Sequence, residues 1–359
     1  MSWVGLRDIN GGVFRPAGLG RQNAADCHLD GLMPSGTLMM EFASNPRGGV
    51  QTLLNYGSSH PWAAGLRVTL GEDGLVTLLH WQGDQRRKYT LRTDLVAVTP
   101  SVTLTYTWDA PLRRGVLSVK VSEGSLYFAE LVAPLPMSLR DGQRMMSDLH
   151  HCAMHSGVCF AALSDEVMPI GVLPTLDGNT LIKTPHGLVP ICKLRAGQRV
   201  VTAAGDVAQI RWCGSTLLPA RGRFAPLVMR APYHGLQRDI IVAADQRLRM
   251  AGSEIEYLFG TENVAMRAGH LADDVSVTRI QSGPTHRYWQ LLLDRAAPMS
   301  VAGMTIEGLD ITGVQIDPSL RKHSAVAALP PELVPPAAPS QVPLLRSYET
   351  RTWRTLAVG

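Results

Sequence analysis

Asn179-Thr180-Leu181-Ile182-Lys183-Thr184-Pro185-His186-Gly187, followed by Val189-Pro190-Ile191-Cys192-Lys193-Leu194-Arg195-Ala196-Gly197-Gln198-Arg199-Val200-Val201-Thr202, is the stretch on which the fold turns. It is dense in Thr, Ile and Val, residues that suit a pleated surface, and it is broken by Pro and Gly, which punctuate strands. Thr180–Thr184 and Arg199–Ala203 read as strands, and Ala204-Gly205-Asp206 reads as the turn after the second.

The same texture continues towards the C-terminus. Ala208–Cys213, Leu227–Arg230, Asp239–Ala243, Glu256–Phe259, Val275–Ile280, Tyr288–Asp294 and Met299–Val301 are further expected strands, with Ser282-Gly283-Pro284 as a turn. Towards the N-terminus, Thr37–Ala43, Val50–Tyr56, Leu66–Leu70, Leu75–Trp81, Arg87–Arg92, Val102–Trp108, Val116–Val121 and Ser125–Val132 are short runs split by Gly, Pro or Asp clusters. Evenly spaced short strands with turn signals predict a β-sandwich or barrel. One segment departs from this. Ser138–His155 has helix formers and a Ser138 start signal, and Gly157 marks its end, so a helix is expected there before strand returns at Val158–Leu163.

A chain of 359 residues has room for two ordinary domains. With 45% apolar and 18% charged residues it suits packed cores rather than disorder. The net charge of +4 comes from 34 basic and 30 acidic residues spread along the chain, which points to no nucleic-acid partner. Five cysteines (Cys27, Cys152, Cys159, Cys192 and Cys213) are too few and too odd for a disulfide framework. No apolar run is long enough to span a membrane, and the N-terminus has no signal-peptide pattern. A cytoplasmic protein, or one exported without a cleaved signal peptide, is expected.

The quoted stretch resembles the opening of the bacterial Hint (hedgehog/intein) domain family. There a nucleophilic cysteine precedes a Gly-Thr-x-Ile-x-Thr-Pro-x-Gly run and a Leu-x-x-Gly-Asp-x-Val loop. Gln209-Ile210-Arg211-Trp212-Cys213-Gly214, Leu258–Val264, Arg267–Leu271, Tyr288–Arg295, Ala302-Gly303 and Glu307 continue the resemblance. The N-terminal half is similar to the laminin-G-like, concanavalin-type jelly roll, through Thr52–Gly57, Leu66–Leu70, Val102–Asp109 and Val116–Lys120. The expected architecture is therefore all-β: a laminin-G-like β-sandwich over 1–171, a Hint-type domain over 172–315, and an extended Pro-rich tail over 316–359. Leu344, Leu345, Tyr348 and Trp353 are expected anchors in that tail.

The family resemblance implies an autoprocessing acyl shift. A side-chain nucleophile attacks the preceding carbonyl, and a histidine protonates the departing amine. Counting back from Asn179, which holds the family's glycine place, puts the nucleophile at Thr175. A threonine hydroxyl titrates far above a thiol at about 8.5. The family's Val-Ser-Pro-Gln-His-Arg-Leu block reads here Val242-Ala243-Ala244-Asp245-Gln246-Arg247-Leu248. Ala243 thus takes the Ser/Thr place and Gln246 the histidine place. The histidine often found after the late Asp-Arg is Ala296. Splicing would need a terminal asparagine, and no Asn follows Asn263. The resemblance implies a degenerate domain that binds or scaffolds.

Two rival readings stand beside it. One is an active protein that cuts at Pro174–Thr175, with His186, His234, His270 or His286 as a substitute acid. The other is a carbohydrate-binding protein whose Trp3, Trp62, Trp81 and Trp108 form a glycan platform. A glycan or a protein is the expected partner of the sandwich. No cofactor is expected. The metal candidate is His151, Cys152, His155 and Cys159, since on a helix His151 and His155 share a face, as do Cys152 and His155. Cys192 and Cys213 read as small core residues.

Overall fold

The computed structural model describes residues 2–20, 29–45, 48–281, 283–336 and 342–357. Cys27, Pro46, Arg47, Ser282 and residues 337–341 of the tail lie outside them. The chain divides into two compact units, Met1–Met168 and Pro169–Gly359. Among the described residues no helix is long and apolar enough to cross a membrane.

The first unit is a β-sandwich. Its seven-stranded sheet runs in the order Leu126–Val132, Arg114–Val121, Thr99–Asp109, Ser35–Ser44, Val158–Ser164, Trp3–Asp8, Gly11–Phe14. Its five-stranded sheet runs Cys152–Met154, Gln51–Ser58, Ala64–Leu70, Leu75–Gln82, Gln85–Arg92. The pairings within both are antiparallel. Alternate residues point inwards, so Leu54, Tyr56, Leu66, Val68, Val76 and Leu78 of one sheet meet Leu38, Met40, Phe42, Leu104, Tyr106 and Trp108 of the other in one core. The Trp108 indole donates to the Met33 carbonyl at 3.1 Å, so its single N–H is satisfied inside. Trp3 is buried as well, while Trp62 is 52% exposed, so the four tryptophans form no common platform.

Ser138 caps its helix as expected, its hydroxyl accepting the Asp141 amide at 3.0 Å. The helix itself is shorter than the sequence suggests and covers Leu139–Ser147. Asp148 takes an extended conformation and accepts the His150 amide at 2.8 Å, which turns the chain out of the helix. Cys152–Met154 then joins the five-stranded sheet opposite Leu54–Tyr56. The partner strand, about 100 residues earlier in the chain, overrides local helix propensity.

His80 is buried in this core with its Nδ1 3.2 Å from the Tyr106 hydroxyl. Burial pulls its pKa down from the usual 6.5 to about 4. Below pH 6.5 the unfolded chain binds a proton that the native state refuses. The stability of this unit is thus full above 6.5 and falls between 6.5 and 4, by on the order of 3 kcal/mol. His80→Gln is expected to flatten that slope by one proton. Amide exchange of the Thr99–Asp109 strand across this pH range reads it, and equal slopes in both proteins would refute it.

In the second unit a seven-stranded sheet runs Arg199–Val201, Val207–Pro219, Thr285–Leu293, Leu176–Asp177, Ile240–Val242, Leu227–Met229, Val277–Arg279. A four-stranded sheet runs Asn263–Arg267, Arg247–Ala251, Met304–Ile306, Met299–Val301. The opening stretch forms the hairpin Leu181–Thr184/Gly187–Pro190, with Gly187 at φ +119° where a side chain would be strained. Residues 256–259, expected as strand, lie instead in the helix Ser253–Phe259. Acidic Glu254 and Glu256 sit in its first turn, and Gly260 closes it in the left-handed conformation, returning its N–H to the Glu256 carbonyl. The tail contributes short helical pieces at Pro318–Arg321 and Pro331–Leu333 and a final helix, Ser347–Ala357. Leu345 and Trp353 join the core of this unit, and Tyr348 is exposed.

Candidate functional site

The two-residue strand Leu176–Asp177 is the positioning element. Leu176 pairs with Trp289 on one side and with Val242 on the other. In antiparallel register the next rung sets Thr175 between Gln290 and Ala243. The Ala243 amide accordingly donates to the Thr175 carbonyl at 2.7 Å. The chain then turns, with the Gln246 amide donating to the Ala243 carbonyl at 3.0 Å, and Gln246 points back at Thr175.

The residues expected at the nucleophile, Ser/Thr and histidine places, Thr175, Ala243 and Gln246, are thereby brought together. The Thr175 hydroxyl donates to Gln246 Oε1 at 2.6 Å and accepts from Gln290 Nε2 at 3.0 Å. Gln290 Nε2 also approaches Gln246 Oε1 at 3.3 Å, and Gln290 Oε1 accepts the Leu291 amide at 3.1 Å. Gln246 Nε2 donates to the carbonyls of Arg247 at 2.7 Å and Glu307 at 3.0 Å. Two carbonyls on one end fix the orientation of this amide, because a carbonyl cannot donate to a carbonyl. Thr175, Gln246 and Gln290 are 9%, 2% and 2% exposed.

The chemistry available to this triangle is limited. Threonine has one hydroxyl hydrogen, and it goes to an amide oxygen, a very weak base. Neither glutamine ionises, so neither can take the hydroxyl proton or deliver one to a leaving amine. Ala243 offers a methyl group and its backbone, and Ala296 likewise has no titratable side chain.

Gln290 was not singled out in the sequence. Its signal is a lone amide in Tyr288-Trp289-Gln290-Leu291-Leu292-Leu293, since a polar group buried in an apolar strand requires partners. Next to the triangle, His286 Nε2 lies 3.1 Å from Asp177 Oδ2, and its ring packs tilted at 54° against Tyr288, centroids 4.7 Å apart. The His286 ring holds the Asp177 carboxyl below the usual carboxylate range. His234 Nε2 meets the Ser276 hydroxyl at 3.1 Å. Cys192 and Cys213 are half-buried, and burial pushes the Cys213 thiol up to about 11.

The metal candidate is not assembled as the sequence suggested, because residues 152–154 are strand and not helix. Cys152 is buried and its thiol is pushed up to about 11 by burial, while Cys159 is exposed. His151 Nδ1 pairs with Asp148 at 2.7 Å, and His155 Nδ1 accepts the Gly157 amide at 2.9 Å. Among the described residues no group of three or more His, Cys, Asp or Glu side chains is placed to hold a metal ion.

Residues 174–313 match the family model described as Hint domain. A bacterial intein-like domain from Clostridium thermocellum is 13% identical, covering 38% of this chain and 99% of its own, with a TM-score of 0.28. The CBM40 of the Ruminococcus gnavus IT-sialidase, bound to alpha2,6 sialyllactose, is 13% identical over 37% of this chain and 78% of its own, with a TM-score of 0.27. The LG1-3 region of the laminin alpha2 chain is 11% identical over 86% of this chain and 56% of its own, with a TM-score of 0.27. These scores are too low to support a parallel in ligand or activity. No curated protein matches this chain. The family match places a Hint domain over residues 174–313, within the second compact unit.

Proposed function

We propose that this Hint domain is a scaffold that does not cut itself, running over 172–315 with residues 316–359 as its C-terminal appendage, and that the protein acts by binding. The observation that carries this is the closed hydrogen-bond triangle of Thr175, Gln246 and Gln290. An acyl shift at Pro174–Thr175 needs a nucleophile that can lose a proton and a group that can supply one to the departing nitrogen. The triangle uses the Thr175 hydroxyl as a structural donor and has no ionisable member. Losing a general acid alone typically costs about 10²–10⁴ in rate. The buried network instead ties three segments, around Thr175, Gln246 and Gln290, into one arrangement, as fully satisfied polar networks do.

Intact mass of freshly purified protein, taken again after storage at neutral pH with and without hydroxylamine or a thiol, tests this. A single full-length species is expected under each condition. A fragment beginning at Thr175, or a hydroxylamine-trapped product ending at Pro174, would establish the self-cleaving reading instead.

A further inference from the structure

In the first unit, the strands Gln51–Ser58, Ala64–Leu70, Leu75–Gln82 and Gln85–Arg92 contain five Arg or Lys residues and no Asp or Glu. Strand alternation sorts them. Arg87 turns to the Ala133 carbonyl at 3.0 Å, and Tyr89 packs towards Tyr106 in the core. Arg67, Arg86, Lys88 and Arg92 are exposed and stand on the outer face. Of these, Arg92 is 3.5 Å from Asp73, and Arg67 Nε donates to Asn55 at 2.8 Å. Among the described residues Arg86 and Lys88 have no acidic partner.

Trp81 stands on this face one residue from the end of its strand, beside the Gly83-Asp84 turn. It pairs across the ladder with Arg86 on one side and Gly65 on the other, and Gly65 pairs in turn with Gly57. A Cβ added to Gly65 would fall 2.0 Å from the Trp81 ring, and one on Gly57 would fall 3.9 Å from it. The indole therefore lies flat along two glycines, with its other face outward and the side chain half-buried. Basic residues on an edge strand also discourage edge-to-edge pairing, which would account for Gln85–Arg92 alone. It does not account for Arg67 on an interior strand or for an indole laid over bare backbone.

We infer that the outer face of this five-stranded sheet binds an acidic glycan, stacking one uronate ring on Trp81 and pairing its carboxylate with Arg86, with Lys88 and Arg67 reading the neighbouring unit. A pyranose presents an apolar C–H face that fits a flat indole. A guanidinium fork matches a carboxylate with two parallel hydrogen bonds. The directly opposite position of Arg86 puts its charge at the rim of the ring, since paired Cβ atoms are about 5 Å apart. Single-stranded nucleic acid fits less well, because it is held by successive aromatic platforms and this face offers one. The inference concerns the first unit and stands apart from the reading of the Hint domain.

The test is calorimetric titration of the full-length protein with hexagalacturonate, with neutral galactohexaose, a heparin hexasaccharide and a short oligo-dT as comparators. Hexagalacturonate is expected to bind, galactohexaose to bind at least tenfold more weakly, and affinity for hexagalacturonate to fall with added salt. Arg86→Gln with Lys88→Gln, at exposed positions that spare the core, and separately Trp81→Leu, are each expected to weaken binding at least tenfold. Absence of binding, equal affinity in the Arg86→Gln/Lys88→Gln protein, or tighter binding of oligo-dT would overturn the inference. So would unchanged affinity in Trp81→Leu, which would reduce the face to unspecific charge. Heparin, itself a uronate-containing acidic glycan, would support the inference by binding the unaltered protein more tightly than the Trp81→Leu protein.

Discussion

A full-length protein carrying Thr175→Cys together with Gln246→His is expected to break at the 174–175 bond, giving two fragments where the unaltered protein gives one mass. Both side chains enter a geometry that already has them in contact, because Thr175 Oγ1 and Gln246 Oε1 are 2.6 Å apart. Cysteine supplies a nucleophile that ionises near neutral pH, and histidine supplies an acid with a pKa around 6.5. The expected gain is at least the factor of about 10²–10⁴ that one general acid provides, and added thiol should accelerate the release. Each single variant should stay nearly inert, since nucleophile and acid act as a unit. A double variant that folds, yet remains one chain in the presence of thiol, would show that the backbone at Pro174 no longer presents its carbonyl for attack. The scaffold reading would then hold in a stronger form than the side chains alone require.

The second large effect is on stability. Gln246→Met keeps the volume of the side chain and removes all its hydrogen bonds. The Thr175 hydroxyl then loses its acceptor, and the carbonyl of Glu307 loses its side-chain donor, all in a buried setting. Unsatisfied buried groups cost about 1–3 kcal/mol each, so a loss of roughly 3 kcal/mol in the second unit is expected. Gln290→Met, which gives up three bonds where Gln246→Met gives up four, should cost less. Thr175→Val, which gives up two, should cost least. Amide exchange in the Thr285–Leu293 and Arg247–Ala251 strands reads the order. A Gln246→Met protein as stable as the parent would mean that water replaces the amide and that the triangle is not a structural tie.

The fold class was legible because alternation and turn residues are local properties. The runs from Thr37 to Val132 each fall within an observed strand or overlap one, since a half-buried pleat requires a period of two and a turn requires Gly, Asp or Pro. The helix start at Ser138 was legible for the same reason, because a cap is a contact across three residues. Where the helix stops was not. Cys152–Met154 leaves helical geometry for a partner strand at Leu54–Tyr56 that no window of sequence contains. The helix Ser253–Phe259 was missed for a different reason. Its Tyr257-Leu258-Phe259 run is apolar and aromatic, as strands are, and the marks that define the helix, acidic residues at the start and Gly260 at the end, lie at its boundaries.

Reading the sequence by itself gave the residue types expected at the chemical positions: a hydroxyl at 175, a methyl at 243 and an amide at 246. That follows from spacing along the chain and needs no coordinates. The tertiary structure alone decided that these three meet, that Gln290 completes the ring, and that the hydroxyl hydrogen faces an amide oxygen. The reason is register. A two-residue strand at Leu176 pairs with strands beginning 64 and 109 residues later, at Ile240 and Thr285, and such long-range pairing depends on where the whole sheet closes rather than on any local preference.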